Sequence, residues 1–187
     1  MNYSKSKAMA WIIAAGLVVI LSPAGFAQTA GKGMLQDFEP DNGTEGEYYR
    51  QVWNCTVDFD ANKVHSGSRS LKMETLENGG TVGIKPVGNQ GQTDLSKAEK
   101  ITLWVYDTQG DNTVELRLKD ANDVGGAGMD HLALWSAGKS RLNAWTKIEW
   151  DLKNYPQVDG LDKSKISSIE IYELQGGTYY FDDLEME

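Results

Sequence analysis

Two carboxylates stand side by side, Asp182 and Asp183, in the closing stretch YYFDDLEME. Their surroundings read as a β-strand, where charged residues are depleted and a bare buried carboxylate is costly. Something must neutralise the pair, and an acidic chain of this kind suits cation binding. A second chemistry is written in three alternating stretches. In ITLWVYD, Ile101, Leu103 and Val105 share one face, and Thr102, Trp104 and Tyr106 share the other. In TVELRLKD, Val114, Leu116 and Leu118 oppose Glu115, Arg117 and Lys119; in SSIEIYEL, Ile169 and Ile171 oppose Glu170 and Tyr172. Period two gives each strand a dry aliphatic face and a face of aromatics mixed with charge. The second face has what a polyhydroxyl ligand needs, and it is equally the ordinary composition of a solvated sheet face.

The elements that must position these residues are strands. Short β-rich runs cover Met34–Phe38, Ser70–Thr75, Thr81–Pro86, Lys100–Asp107, Thr113–Lys119, Thr146–Leu152, Ser167–Leu174 and Thr178–Met186. Turn clusters separate them: DTQGDN, KDANDVGGAG, NYPQVDGLDKSK and LQGGT. DLSKAEK, residues 94–100, reads as a short helical turn or loop. Almost no helical periodicity is present, so the spacing predicts one all-β domain, an antiparallel β-sandwich, over 34–187.

Ahead of that domain, Lys5 and Lys7 precede an apolar run from about Met9 to Leu21 and then SPAGFA. This pattern predicts a secretory signal peptide of residues 1–27, cleaved after Ala27, with 28–33 a flexible lead-in and a secreted or periplasmic location. The run is short for a bilayer span. The whole chain has a formal net charge of −9, and losing two lysines with the signal leaves 16 basic against 27 acidic residues, or −11. Such a surface does not bind nucleic acid by neutralising phosphates. Cys55 is the single cysteine, so no internal disulfide ties down the chain ends.

Three further stretches narrow the fold: LQDFEPDNG (35–43), VHSGSRSLKME (64–74) and YYFDDLEM (179–186). In this order they resemble the carbohydrate-binding modules of the galactose-binding-domain-like β-sandwich superfamily, a jelly-roll architecture. KITLWVYD and WTKIEWDL look like middle strands of such modules. The resemblance implies a structural calcium ion where first and last strands meet. Carried over, Glu39 is the first-strand ligand and Asp182 the last-strand ligand. Asp37 is a possible second side chain, and Ser68 a candidate carbonyl donor. The donor chemistry is sound, since calcium takes six to eight oxygens from carboxylates and carbonyls. Because adjacent strand residues point to opposite faces, only one of Asp182 and Asp183 is expected to reach the ion.

The resemblance also implies polysaccharide binding without catalysis. Tyr106, Arg117 and Tyr172 are the sheet-face candidates, with Glu115 as a hydrogen-bond partner. Trp53 and Trp135 are added as loop residues. Trp104 shares their face but is a candidate for cover by a loop, and Trp145 and Trp150 are assigned to packing. Arg117 and Lys119 would favour an acidic sugar, or simply pair with Glu115 or Glu170. Most similar modules are attached to an enzyme; a lone one would work beside separate secreted glycan-degrading enzymes. The same superfamily includes domains similar to the intermediate-associated factor of respiratory complex I, so a protein-interaction or assembly module is the alternative.

An enzyme is the least favoured class. No Gly-x-Ser-x-Gly, His-Glu-x-x-His or Gly-rich phosphate loop is present, and of two histidines His65 belongs to the HSGS stretch and His131 follows Asp130. DFDAN (58–62) begins like an EF-hand loop but has Lys63 and Arg69 where glycine and an acid are required, and is read as a polar turn. Asn42-Gly43-Thr44 and Asn54-Cys55-Thr56 are glycosylation acceptors only in a eukaryotic secretory route.

Overall fold

The computed structural model describes residues 33–40, 49–86, 92–122, 135–154 and 159–187; the expected signal segment and most of the lead-in lie outside these. Eleven strands occur among the described residues: β1 Gly33–Gln36, β2 Tyr49–Trp53, β3 Cys55–Asp60, β4 Ser70–Thr75, β5 Gly80–Ile84, β6 Lys100–Asp107, β7 Thr113–Asp120, β8 Trp135–Lys139, β9 Trp145–Asp151, β10 Ile166–Glu173 and β11 Gly177–Met186. They form two antiparallel sheets. One has the order β3-β4-β11-β6-β9 with β1 also paired to β11; the other has the order β2-β5-β10-β7-β8. The expected β-sandwich is therefore the observed fold.

Alternation places the core. Ile101, Leu103 and Val105 of β6 and Tyr179 and Phe181 of β11 face Val114, Leu116 and Leu118 of β7 and Ile169 and Ile171 of β10, all fully buried. Trp150 is also wholly buried, as its assignment to packing requires. Each large apolar side chain removed from water in this way contributes about 1.5–3 kcal/mol.

Three strands differ from the sequence reading. β2 and β8 were expected as loops, so Trp53 and Trp135 stand on strands instead. β3 runs through Asp58 and Asp60, where a polar turn was expected; the turn begins only where Asp60 Oδ1 accepts the amides of Asn62 and Lys63, both at 2.7 Å. β2 is paired with β5 and β3 with β4, and the alternating Cys55, Val57 and Phe59 of β3 pack against the core.

Candidate functional site

The outer face of the five-stranded sheet collects four of the six sugar-site candidates. In register, Trp53 lies opposite Thr81, Thr81 opposite Tyr172, and Tyr172 opposite Glu115. The next row runs through Gly83, Glu170 and Arg117. Trp53 and Tyr172 stand side by side, ring centroids 6.2 Å apart and planes tilted by 36°. Trp53 is 48% exposed, which makes it a large aromatic surface open to a ligand. Gly83 adds no side chain to the second row.

That second row is charged. Arg117 Nε lies 3.5 Å from Glu170 Oε2, and the two side chains are only 15% and 4% exposed. Both are outward by alternation, yet nearly buried. The guanidinium is thus committed to a neighbouring carboxylate, as one of the two sequence readings of Arg117 anticipated. Tyr172 and Glu115 are half-buried and flank this pair.

Tyr106 was expected on the same face and is not. It belongs to β6, in the other sheet, so the thickness of the sandwich separates it from Arg117 and Tyr172. Three parallel alternations looked like one face because period two does not say which sheet a strand joins. Tyr106 also packs edge-on to Trp145 and Tyr180, at 5.7 and 5.9 Å, and Lys63 Nζ sits 4.3 Å over its ring. A ring capped by a lysine has no open plane for a sugar on that side. Trp104 is covered as well, stacked under His65 at 3.9 Å. Trp135 pairs with Leu116 in register, and its side chain lies outside the described residues, as does His131.

The aspartate pair of the opening question is neutralised by hydrogen bonds. Asp182 Oδ2 accepts the amides of His65 (2.9 Å) and Ser66 (3.1 Å). Asp183 Oδ2 lies 2.7 Å from His65 Nδ1, and Asp183 Oδ1 accepts the Ser66 hydroxyl at 2.7 Å. The expectation that only one aspartate faces the turn is corrected. A bulge interrupts the β11–β6 register between Asp182 and Glu185, and Asp183 takes a left-handed φ of 46°. The extra residue turns both carboxylates to the same side.

Glu39 closes the same turn from the other end. Its Oε1 accepts the amides of Ser68 (2.7 Å) and Arg69 (3.3 Å), and its Oε2 accepts the Ser68 hydroxyl (2.5 Å). Burial alone would raise its pKa; the bonds from Ser68 and Arg69 and the Arg69 charge outweigh that and hold the carboxyl below its ordinary value. At Asp182 burial wins: despite three amides, those of Ser66, His65 and Asp183, and with the charge of Asp183 adding to it, the pKa rises to about 6. Phe38, held at φ 60° by the Gln36 side chain and by Arg69 Nε on its carbonyl, aims Glu39 at the turn.

These contacts test the fit of calcium. Acids of the first and last strands do meet at one turn, but that turn presents N–H and O–H donors to them. Ser68 donates through amide and hydroxyl, and Asp37 Oδ1 accepts the Glu39 amide at 3.1 Å. Among the described residues no three His, Cys, Asp or Glu side chains gather as a cation cage. As hydrogen-bonded here, the carboxylates are occupied by these donors, which an ion at this turn would have to displace.

Comparison with known proteins bears on the fold. No family model matches the chain, and no curated protein matches it in sequence. Solved structures do resemble it. A family 11 carbohydrate-binding module from Clostridium thermocellum, in complex with a β-1,3-1,4-mixed-linked tetrasaccharide, superposes with a TM-score of 0.54 at 17% identity, over 84% of this chain and 96% of that one. A family 30 carbohydrate-binding module gives 0.56 at 12% identity, over 83% and 86%. An exo-β-agarase gives 0.56 at 15% identity, over 82% of this chain but 24% of the enzyme. At these identities the likeness establishes a shared β-sandwich fold.

Proposed function

We propose that the chain is an exported, non-catalytic carbohydrate-binding protein that holds a polysaccharide across the outer face of the five-stranded sheet. The observation that carries this reading is the exposed Trp53 beside Tyr172, with the Arg117–Glu170 pair in the next row of the same sheet face. Tilted aromatic planes stack on successive sugar rings, and fixed polar groups between them take the hydroxyls. The carbohydrate-binding modules that share the fold lend support, since one of them carries a bound oligosaccharide. Tyr106 is excluded from this face by its place in the other sheet.

The test is retention on a panel of soluble and insoluble polysaccharides, with product formation followed in the same tubes. Trp53→Ala and Tyr172→Ala are each expected to lower affinity about tenfold or more, the weight of a desolvated aromatic anchor, while Tyr106→Ala leaves it unchanged. Retention on no glycan, or variants that bind as wild type, would sink the proposal and favour the protein-interaction reading. Hydrolysis lost with Glu115→Gln would replace it by an enzyme.

Two further parts of the proposal stand apart from sugar binding. Export rests on the N-terminal pattern; intact mass of the secreted protein, beginning at Gln28, checks it. Calcium between the first and last strands rests on Glu39 and Asp182 meeting at one turn, and requires its amides to turn away. Chelation that lowers the melting temperature in wild type but not in Asp182→Asn would support that ion.

A further inference from the structure

At one end of the sandwich the four central rows of the core all finish in an oxygen-bearing side chain. The β6 row Ile101-Leu103-Val105 ends in Asp107, and the β10 row Ile169-Ile171 ends in Glu173. The β7 row begins two residues after Asn112, and the β11 row begins at Tyr179. Register places them together: Tyr179 lies opposite Asp107, and Glu173 opposite Val114. All four are fully buried, at 0% exposure.

Hydrogen bonds join three of them. Asp107 accepts the Ser140 hydroxyl on Oδ2 (2.5 Å) and the Gln109 amide on Oδ1 (2.7 Å). The Ser140 amide donates to the Asn112 carbonyl (2.9 Å). Asn112 Nδ2 donates to the Tyr179 hydroxyl, which donates in turn to the Gln175 carbonyl at 3.0 Å. Three oxygens are left over. Glu173 Oε1 and Oε2 and Asn112 Oδ1 are buried without any hydrogen-bond partner.

That set is unusual in a specific way: every orphan is an acceptor, and two carboxylates sit in the core with no cation beside them. A buried, unpaired carboxylate is among the most unfavourable states in a protein interior. Burial and the charge of Asp107 accordingly push the Glu173 carboxyl well above its ordinary value. Protonation would cancel one charge but supply a single hydrogen for three oxygens. A buried water would donate to two of them and cancel no charge. A divalent cation serves all three and neutralises both carboxylates.

We infer that Glu173, Asp107 and the amide oxygen of Asn112 form a buried calcium site between the two sheets, separate from the turn held by Glu39 and Asp182. Hard oxygen donors with no nitrogen or sulfur suit calcium or magnesium; the full burial of these side chains favours calcium, because magnesium dehydrates reluctantly and keeps its waters. Two acids and an amide make the site, so it is not a cluster of three acids. An ion here would clamp β6 and β10, one from each sheet.

The experiment uses the purified secreted protein, stripped with chelator, and calcium chloride alone as the probe. Wild type is expected to take up tightly bound calcium, counted by elemental analysis, and to gain about 5 °C or more in melting temperature, since an ion bound only by the folded state stabilises it. Glu173→Gln keeps the shape and removes the charge. It is expected to melt higher than wild type in chelator, to gain nothing from calcium and to lose one bound ion per chain. A calcium-induced shift that persists in Glu173→Gln would overturn the inference, and one lost only in Asp182→Asn would assign the ion to the terminal turn instead. No shift in wild type, with stability rising as pH falls, would leave a protonated Glu173 and no ion.

Discussion

Gly67 carries the terminal turn on a conformation no other residue adopts cheaply. Its φ is +65°, and a Cβ built there would lie 2.1 Å from Glu39 Oε1. Glu39 could swing away, but only by releasing the amides of Ser68 and Arg69 and the Ser68 hydroxyl. Gly67→Ala is therefore predicted to destabilise the fold by about 2–3 kcal/mol, combining left-handed strain with lost charge-assisted bonds. Ser68→Ala, which loses one hydroxyl bond, is predicted to cost about 1 kcal/mol or less. Urea unfolding measures both; equal costs would mean that Gly67 is not the hinge of the turn. The neighbouring Asp182 gives a pH signature. Its folded pKa, about 6, lies above the unfolded value of 3.8. The folded state thus holds the proton more tightly, and this group's contribution to stability falls as pH rises from about 4 to about 6. In chelator, wild type is predicted to lose melting temperature over that window. Asp182→Asn, which does not titrate, should lose less; identical slopes would refute the assignment.

Strands whose alternation was strong were legible in the sequence, and those held by neighbours were not. β4 and β6 fall at the expected residues, Ser70–Thr75 and Lys100–Asp107. Cys55–Asp60 does alternate, with Cys55, Val57 and Phe59 packed toward the core, but Asp58 and Asp60 beside them read as a turn; Tyr49–Trp53 is ordered by its pairing with β5. Sheet membership was not legible at all, which is why Tyr106 was grouped with Tyr172. Glu173 and Asp107 were legible only as strand ends, because alternation marks a residue as inward without saying that its row has run out of apolar partners. One local signal reads directly: Asp162 accepts the Ser164 amide (3.0 Å) and hydroxyl (2.6 Å), opening the short turn that leads into β10. Those bonds hold its carboxyl below its ordinary value. Asp162→Ala is predicted to lower the urea midpoint slightly, as a lost cap does. Because β10 carries Tyr172 on its far half, polysaccharide affinity at temperatures well below unfolding should not change. A loss of affinity equal to that of Tyr172→Ala would show that the turn, and not the β5–β10–β7 pairing, sets the register of the face.

At the scale of the molecule, the proposed function makes charge a test among glycans. The whole chain carries a formal −9, so its long-range field repels polyanions. The basic group best placed to reverse that locally, Arg117, is paired with Glu170 on the proposed binding face. Presenting it to a uronate would mean exchanging a nearly buried carboxylate for a solvated one, which leaves Glu170 without its cation. A neutral polysaccharide asks for no such exchange: stacking on Trp53 and Tyr172 needs no net charge, and Glu115 and Glu170 accept from hydroxyls. Binding is therefore predicted to favour neutral glycans over uronic-acid polymers at low salt. Raising salt from about 0.05 M to about 0.5 M shortens the screening length from roughly 14 Å to roughly 4 Å, so retention on a neutral glycan should hardly change. Glu170→Gln frees the arginine and should raise affinity for a polyuronate while lowering overall repulsion. Affinity electrophoresis in neutral and acidic gels, at both salt levels, measures all of this; a wild type that prefers the acidic gel at low salt and loses it at high salt would place Arg117 on the ligand and not on Glu170.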